Sequence, residues 1–96
     1  MTPFQGNTAA TVNIDVSSSS QRVQIPNNNS SVRVMNNGTA TVWIAFGDVT
    51  VTASLTTSMP IGPGVIEVQR LSNAGYVAAI AAGSTGKIYF TPGEGI

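Results

Sequence analysis

None of the 96 residues is cysteine or histidine, and only eight are charged. The missing cysteines exclude a disulfide framework and a thiolate metal site. The missing histidines remove the side chain that most often carries general acid–base catalysis and the commonest transition-metal ligand. The four acids, Asp15, Asp48, Glu67 and Glu94, fall in separate segments, whereas a glycosidase needs two carboxylates across a cleft that so short a chain has little room to build. No catalytic residue, metal ligand or cofactor is assigned, and the expectation is a protein that is not an enzyme. Four basic against four acidic residues leave no electrostatic footprint for nucleic acid or for an anionic membrane. The longest apolar runs, such as Tyr76 to Ala82, are far shorter than a membrane span. The N-terminus lacks a basic residue followed by an apolar core, so synthesis in a cytoplasm without a signal peptide is expected.

What the chain does contain is period-2 alternation. Val12, Ile14 and Val16 alternate with polar neighbours, as do Val23 with Ile25 and Val32 with Val34, which is the pattern of half-buried strands. In Thr41 to Phe46, Val42, Ile44 and Phe46 form one face while Trp43 and Ala45 make the other face apolar too. Further strands fit Val65 to Leu71, Tyr76 to Ala82 and Lys87 to Thr91; glycines bracket the Ala-rich run, and its Val and Ile favour a strand over a helix. Turn residues suggest three hairpins. Ser17 to Ser20 would set Ile14 against Val23 and Asp15 against Arg22 as an ion pair. Asn36-Asn37-Gly38, with Gly38 left-handed, would set Val32 against Val42. Gly83 to Gly86 would bring Ala81 near Ile88. The stretch from Gly47 to Gly64 reads as a crossover between sheets with room for one short strand, and with Asp48 opening a turn. Gly62-Pro63-Gly64 and Gly93-Glu94-Gly95 read as turns, since neither has the lysine and helix of a phosphate loop. Glu67 and Lys87 are expected on solvated strand faces. The fold expected is all-β: one small antiparallel β-sandwich, jelly-roll or Greek-key like, spanning 1–96 with a short N-terminal arm (1–9) and a C-terminal tail (92–96).

The aromatics carry the functional reading. Phe46 and Phe90 share faces with core residues, whereas Trp43 and Tyr89 point the other way along their strands. Either another segment of the chain or another subunit must cover that second face. With near-zero net charge favouring association, Phe4, Trp43, Tyr76, Tyr89 and Ile96 are the candidate interface residues of a homo-oligomer, trimer or dimer. An alternative is a carbohydrate- or receptor-binding domain such as that of an adhesin, with Asn27, Asn28, Asn29, Asn36 and Asn37 around an aromatic platform.

The run Arg33 to Gly47 (RVMNNGTATVWIAFG), Met59 to Gly64 (MPIGPG), Tyr76 to Ile80 (YVAAI) and the closing Tyr89 to Gly95 (YFTPGEG) resemble small virion proteins of tailed bacteriophages, among them capsid decoration or cement proteins. The resemblance implies a non-enzymatic β-sandwich that binds the major capsid protein on the outer capsid surface of the virion and bridges neighbouring capsomers.

Overall fold

The structure, a computed structural model, describes residues 5–6, 10–25, 31–71, 75–82 and 86–94. Phe4, Ile96, Asn27, Asn28, Asn29 and the Gly83 to Thr85 turn lie outside the described residues. Nine strands follow one another: β1 (Gln5–Gly6), β2 (Val12–Val16), β3 (Gln21–Gln24), β4 (Ser31–Asn36), β5 (Val42–Gly47), β6 (Met59–Ile61), β7 (Ile66–Arg70), β8 (Tyr76–Ala81) and β9 (Gly86–Glu94). The Ala-rich run is thus a strand. In the first sheet, sheet A, the order is β1-β9-β4-β7, with β2 also on β9; in sheet B it is β3-β8-β5-β6. Because β4 occupies one side of β9 over residues 88–93, β1 and β2 must share the other side, as two pieces of one broken edge. Pro92 stands opposite that break, where a missing N–H is tolerated.

The antiparallel pairs β2–β9, β3–β8, β4–β7 and β5–β6 are nested like a folded ribbon. That nesting is a jelly roll: a β-sandwich whose consecutive strands lie mostly in opposite sheets. It reverses the expected connections. Residues 17–20 carry the chain from sheet A to sheet B instead of closing a hairpin, so Asp15 lies opposite Lys87 and Arg22 opposite Ala78. Residues 37–41 do the same, and Val32 pairs with Gln69 and Pro92 instead of Val42. The third hairpin is likewise a crossing, because β8 and β9 belong to different sheets. The stretch from Gly47 to Gly64 does cross between sheets as expected, from β5 in sheet B to β7 in sheet A, with the short strand β6 on the way; its first part, 48–58, begins and ends in sheet B. At the C-terminus, Pro92, Gly93 and Glu94 continue β9 instead of forming a tail or a turn.

The core is what alternation foretold. Ile14, Val16, Val32, Val34, Ile88 and Phe90 of sheet A meet Val42, Ile44, Ile61, Val77, Ala79 and Ala81 of sheet B, closed at one end by Ile25. Each large side chain so buried contributes roughly 1.5–3 kcal/mol. Asn36, also buried, ties the sheets together: its Nδ2 donates to the Ala40 and Ile61 carbonyls, both at 2.9 Å, and its Oδ1 accepts from the Gly38 N–H at 3.0 Å. Gly38 is not left-handed; a Cβ on it would crowd Asn36 Oδ1 at 3.3 Å, and a Cβ on the facing Gly86 would meet the Gly38 Cα at 3.1 Å. Among the described residues the left-handed glycine is Gly64, with φ 75°. It follows Pro63 in a type II turn closed by the Val65 N–H on the Gly62 carbonyl at 3.1 Å.

Candidate functional site

Two outer faces remain once the core is closed, and the register assigns each residue to one of them. On sheet B, Val23, Val77 and Phe46 line up on the core side, so the outward rows are Arg22–Ala78–Ala45, Ile80–Trp43–Pro60 and Gln24–Tyr76–Gly47. On sheet A, the outward rows are Asn13–Tyr89–Met35–Ile66 and Thr91–Arg33–Val68, with Asp15–Lys87 beside them. Trp43 and Tyr76 therefore share a face, two rows apart, whereas Tyr89 lies on the opposite side of the sandwich. No single flat contact can hold all three.

The chain itself covers part of the sheet B face. After Gly47 the segment 48–58 leaves β5, travels over β8 as far as β3 and returns to β6. Three contacts mark its path. Val51 lies so close that a Cβ on Gly47 would be 3.0 Å from it; the Arg22 guanidinium donates to the Val51 carbonyl at 3.5 Å; and the Ala53 N–H donates to Ser20 Oγ at 2.9 Å. Ala78, which points away from the core beneath this strap, is fully buried. The strap is shaped by its own hydroxyls. Asp48 Oδ1 accepts from the Thr50 N–H at 2.8 Å and the Thr50 hydroxyl at 2.6 Å, forming the turn expected after Gly47. These bonds hold the Asp48 carboxyl below its ordinary pKa. At the tip, the Ser54 N–H donates to Ser58 Oγ at 2.8 Å. The strap leaves Val49 and Leu55 facing out, 55% and 40% exposed.

Charge is divided unequally between the two sides. Asp15, Arg33, Glu67, Arg70, Lys87 and Glu94 all belong to strands of sheet A, leaving Arg22 on β3 and Asp48 on the strap. Lys87 donates to Asp15 in an exposed cross-strand ion pair, which raises the lysine pKa through the hydrogen bond first and the Coulomb attraction second. This replaces the ion pair expected between Asp15 and Arg22. Glu67 is not on a solvated face either: it is the partner of Val34, half-buried at the sandwich rim, and accepts from Gln69 Nε2 at 2.9 Å. Asn36, one of the residues proposed for sugar hydroxyls, has its amide fully engaged in the latch between the sheets.

The strap escaped sequence reading because its weak alternation and abundant hydroxyls look like any long loop. A usable signal was Ala45 and Ala78, small residues on an outward strand face where something approaches closely.

The architecture defines the class of protein, a small jelly-roll β-sandwich. No protein-family model and no curated protein matches the chain. Among solved structures it is similar to PirA, with a TM-score of 0.52 at 17% identity over 86% of this chain and 93% of that one. It is also similar to a protein of the Bacillus endospore appendages, a family of disulfide-linked pili, with a TM-score of 0.50 at 14% identity over 88% and 84% of the two chains. Likenesses at these identities establish the shared fold.

Proposed function

We propose that this chain is a non-enzymatic structural subunit of an assembled particle, and specifically a bacteriophage head decoration protein. It would form a dimer or trimer and sit on the major capsid protein at the outer surface of the virion. One observation carries the reading: the two sides of the sandwich differ in charge, and, although Ile66 is exposed on the charged side, the side nearly without charge exposes two large apolar side chains next to half-buried aromatics. Val49 and Leu55 project from the strap, and Trp43 and Tyr76 stand half-buried on the same side. Interface cores are depleted of charge and enriched in Trp and Tyr, so this side docks and sheet A faces solvent. The fold is used in assembly by the similar pilus protein, but these residues include no cysteine, so the contacts here are non-covalent. The phage assignment rests on the sequence resemblance described above.

The experiment is light scattering of the purified chain followed by co-sedimentation with capsids from its own source. A stable oligomer that pellets with capsids is expected. Leu55→Asp with Val49→Asp should weaken that binding by roughly thirtyfold or more, the scale of a lost hot spot, while Asn13→Asp on sheet A leaves it unchanged. A monomer that stays in the supernatant would overturn the reading.

A further inference from the structure

The outer face of sheet A contains a depression of about 200 Å³ lined by Thr11, Arg33, Met35, Tyr89 and Thr91. The register explains its shape. Arg33 is the partner of Thr91, and Met35 of Tyr89, so two long side chains and an aromatic ring stand around short ones. Part of the lining is the Thr11 and Thr91 hydroxyl pair, 3.0 Å apart. Arg33 and Tyr89 are diagonal neighbours, a separation of roughly 7–8 Å between backbones that long side chains can bridge. Among the described residues Arg33 has no ion pair; Asp15, on the far side of β9 and two outward rows away, is taken by Lys87.

The chemistry of the lining describes its ligand. A guanidinium offers planar donors and no acceptor, matched to a carboxylate. The threonine and tyrosine hydroxyls suit a polyol, and the faces of Tyr89 and Met35 suit the apolar side of a ring. The lining holds one cation, Arg33, and no acid, which fits a body that is neutral apart from a single carboxylate. Here β4 is paired on each side and β9 is paired on each side as far as Phe90, so the break beside Thr91 and Pro92 leaves a peptide backbone too short an edge to join as a strand.

We propose that this depression binds an acidic sugar, with its ring against Tyr89 and Met35, its carboxylate on Arg33 and its hydroxyls on the threonine pair. The site lies on the face opposite the docking side, so it stays open in an assembly and is equally present in the isolated chain. Failure of capsid binding would leave it standing.

The test is a titration of the isotope-labelled chain with methyl β-D-glucuronide, followed by amide chemical shifts. Saturable shifts centred on Arg33, Tyr89 and Thr91, with a dissociation constant of roughly millimolar order, are expected. Methyl β-D-glucoside should bind at least roughly tenfold more weakly, as should Arg33→Gln and Tyr89→Ala toward the glucuronide. Arg33→Lys should retain part of the affinity, because it keeps the charge and loses the fork. All three variants change outward-facing side chains, and unchanged amide shifts away from the site confirm their fold. Absence of saturable shifts, equal binding of the glucoside, or an indifferent Arg33→Gln would overturn the proposal. N-acetylglutamate amide binding as tightly as the glucuronide would overturn the sugar assignment and give the groove to protein carboxylates.

Discussion

Arg33 and Ala78 occupy comparable positions: each points away from the core from a middle strand of its sheet, yet Arg33 is exposed and Ala78 is fully buried. The difference is the strap. Sheet B has a long connection that folds back over its outer face, and beneath it the outward positions are Ala45, Ala78 and Gly47, small enough to let a backbone approach. Sheet A has no such cover among the described residues, and its outward positions mix charge and hydroxyls with Met35, Ile66 and Val68. An apolar outer strand face is thus no proof of a subunit contact, since part of this one is satisfied within the chain. What remains for a partner is the outside of the strap, where Val49 and Leu55 face solvent.

The contrast can be broken most sharply at Ala78. Ala78→Glu should destabilise the fold by about 3 kcal/mol or more, because it buries an unpaired charge under the strap, whereas Arg33→Glu should change stability by no more than about 0.5 kcal/mol. Urea denaturation of the two variants measures both; equal effects would mean that the strap does not hold Ala78 down. Next in size, Asn36→Leu should cost about 2–4 kcal/mol by leaving the Ala40 and Ile61 carbonyls and the Gly38 N–H without their partner. That loss strikes both faces together, since the latch joins the sheets. Gly47→Ala sharpens the comparison within sheet B. Its Cβ would press on Val51 at 3.0 Å, so the strap must shift, at roughly 1–2 kcal/mol. Faster hydrogen exchange at the Ala53 amide, with core amides unaffected, is the expected signature.

The smallest effects are those of pH, and they fall on opposite sides of neutrality. Lys87 has a raised pKa, so its ion pair stabilises the fold fully below the ordinary 10.5 and loses that contribution as pH rises through the higher folded value. Asp48 has a lowered pKa, so its turn is favoured above the ordinary 3.8 and weakens as pH falls through the lower folded value. Both groups are exposed, and the effects are small. Asp48→Asn should flatten the acid side of a stability profile, and Lys87→Met the alkaline side.

Much of this molecule was legible residue by residue. Alternation assigned Ile14, Val16, Val32, Val34, Val42, Ile44, Ile88 and Phe90 to the interior and Trp43 and Tyr89 to the exterior, and every one of those positions holds. The pairing of strands was not legible. Serines at 17–20 and Asn-Gly at 37–38 signal a reversal of direction, but the same residues serve a hairpin within a sheet and a corner that crosses about 10 Å to the facing sheet. Period 2 says which face a side chain takes and nothing about which strand lies beside it. Hence Asp15 was matched with Arg22 when its partner, Lys87, is far along the chain.

By itself, then, the sequence determined the strand composition, the inward and outward sets and the exclusion of thiol and imidazole chemistry, because these depend on residue type and local period. Only the tertiary structure decided the nested pairing, the strap that buries Ala78, and the meeting of Arg33 with Tyr89 around one depression. Those are contacts between segments far apart in the chain, and they are selected by the packing of whole sheets, which no local pattern encodes.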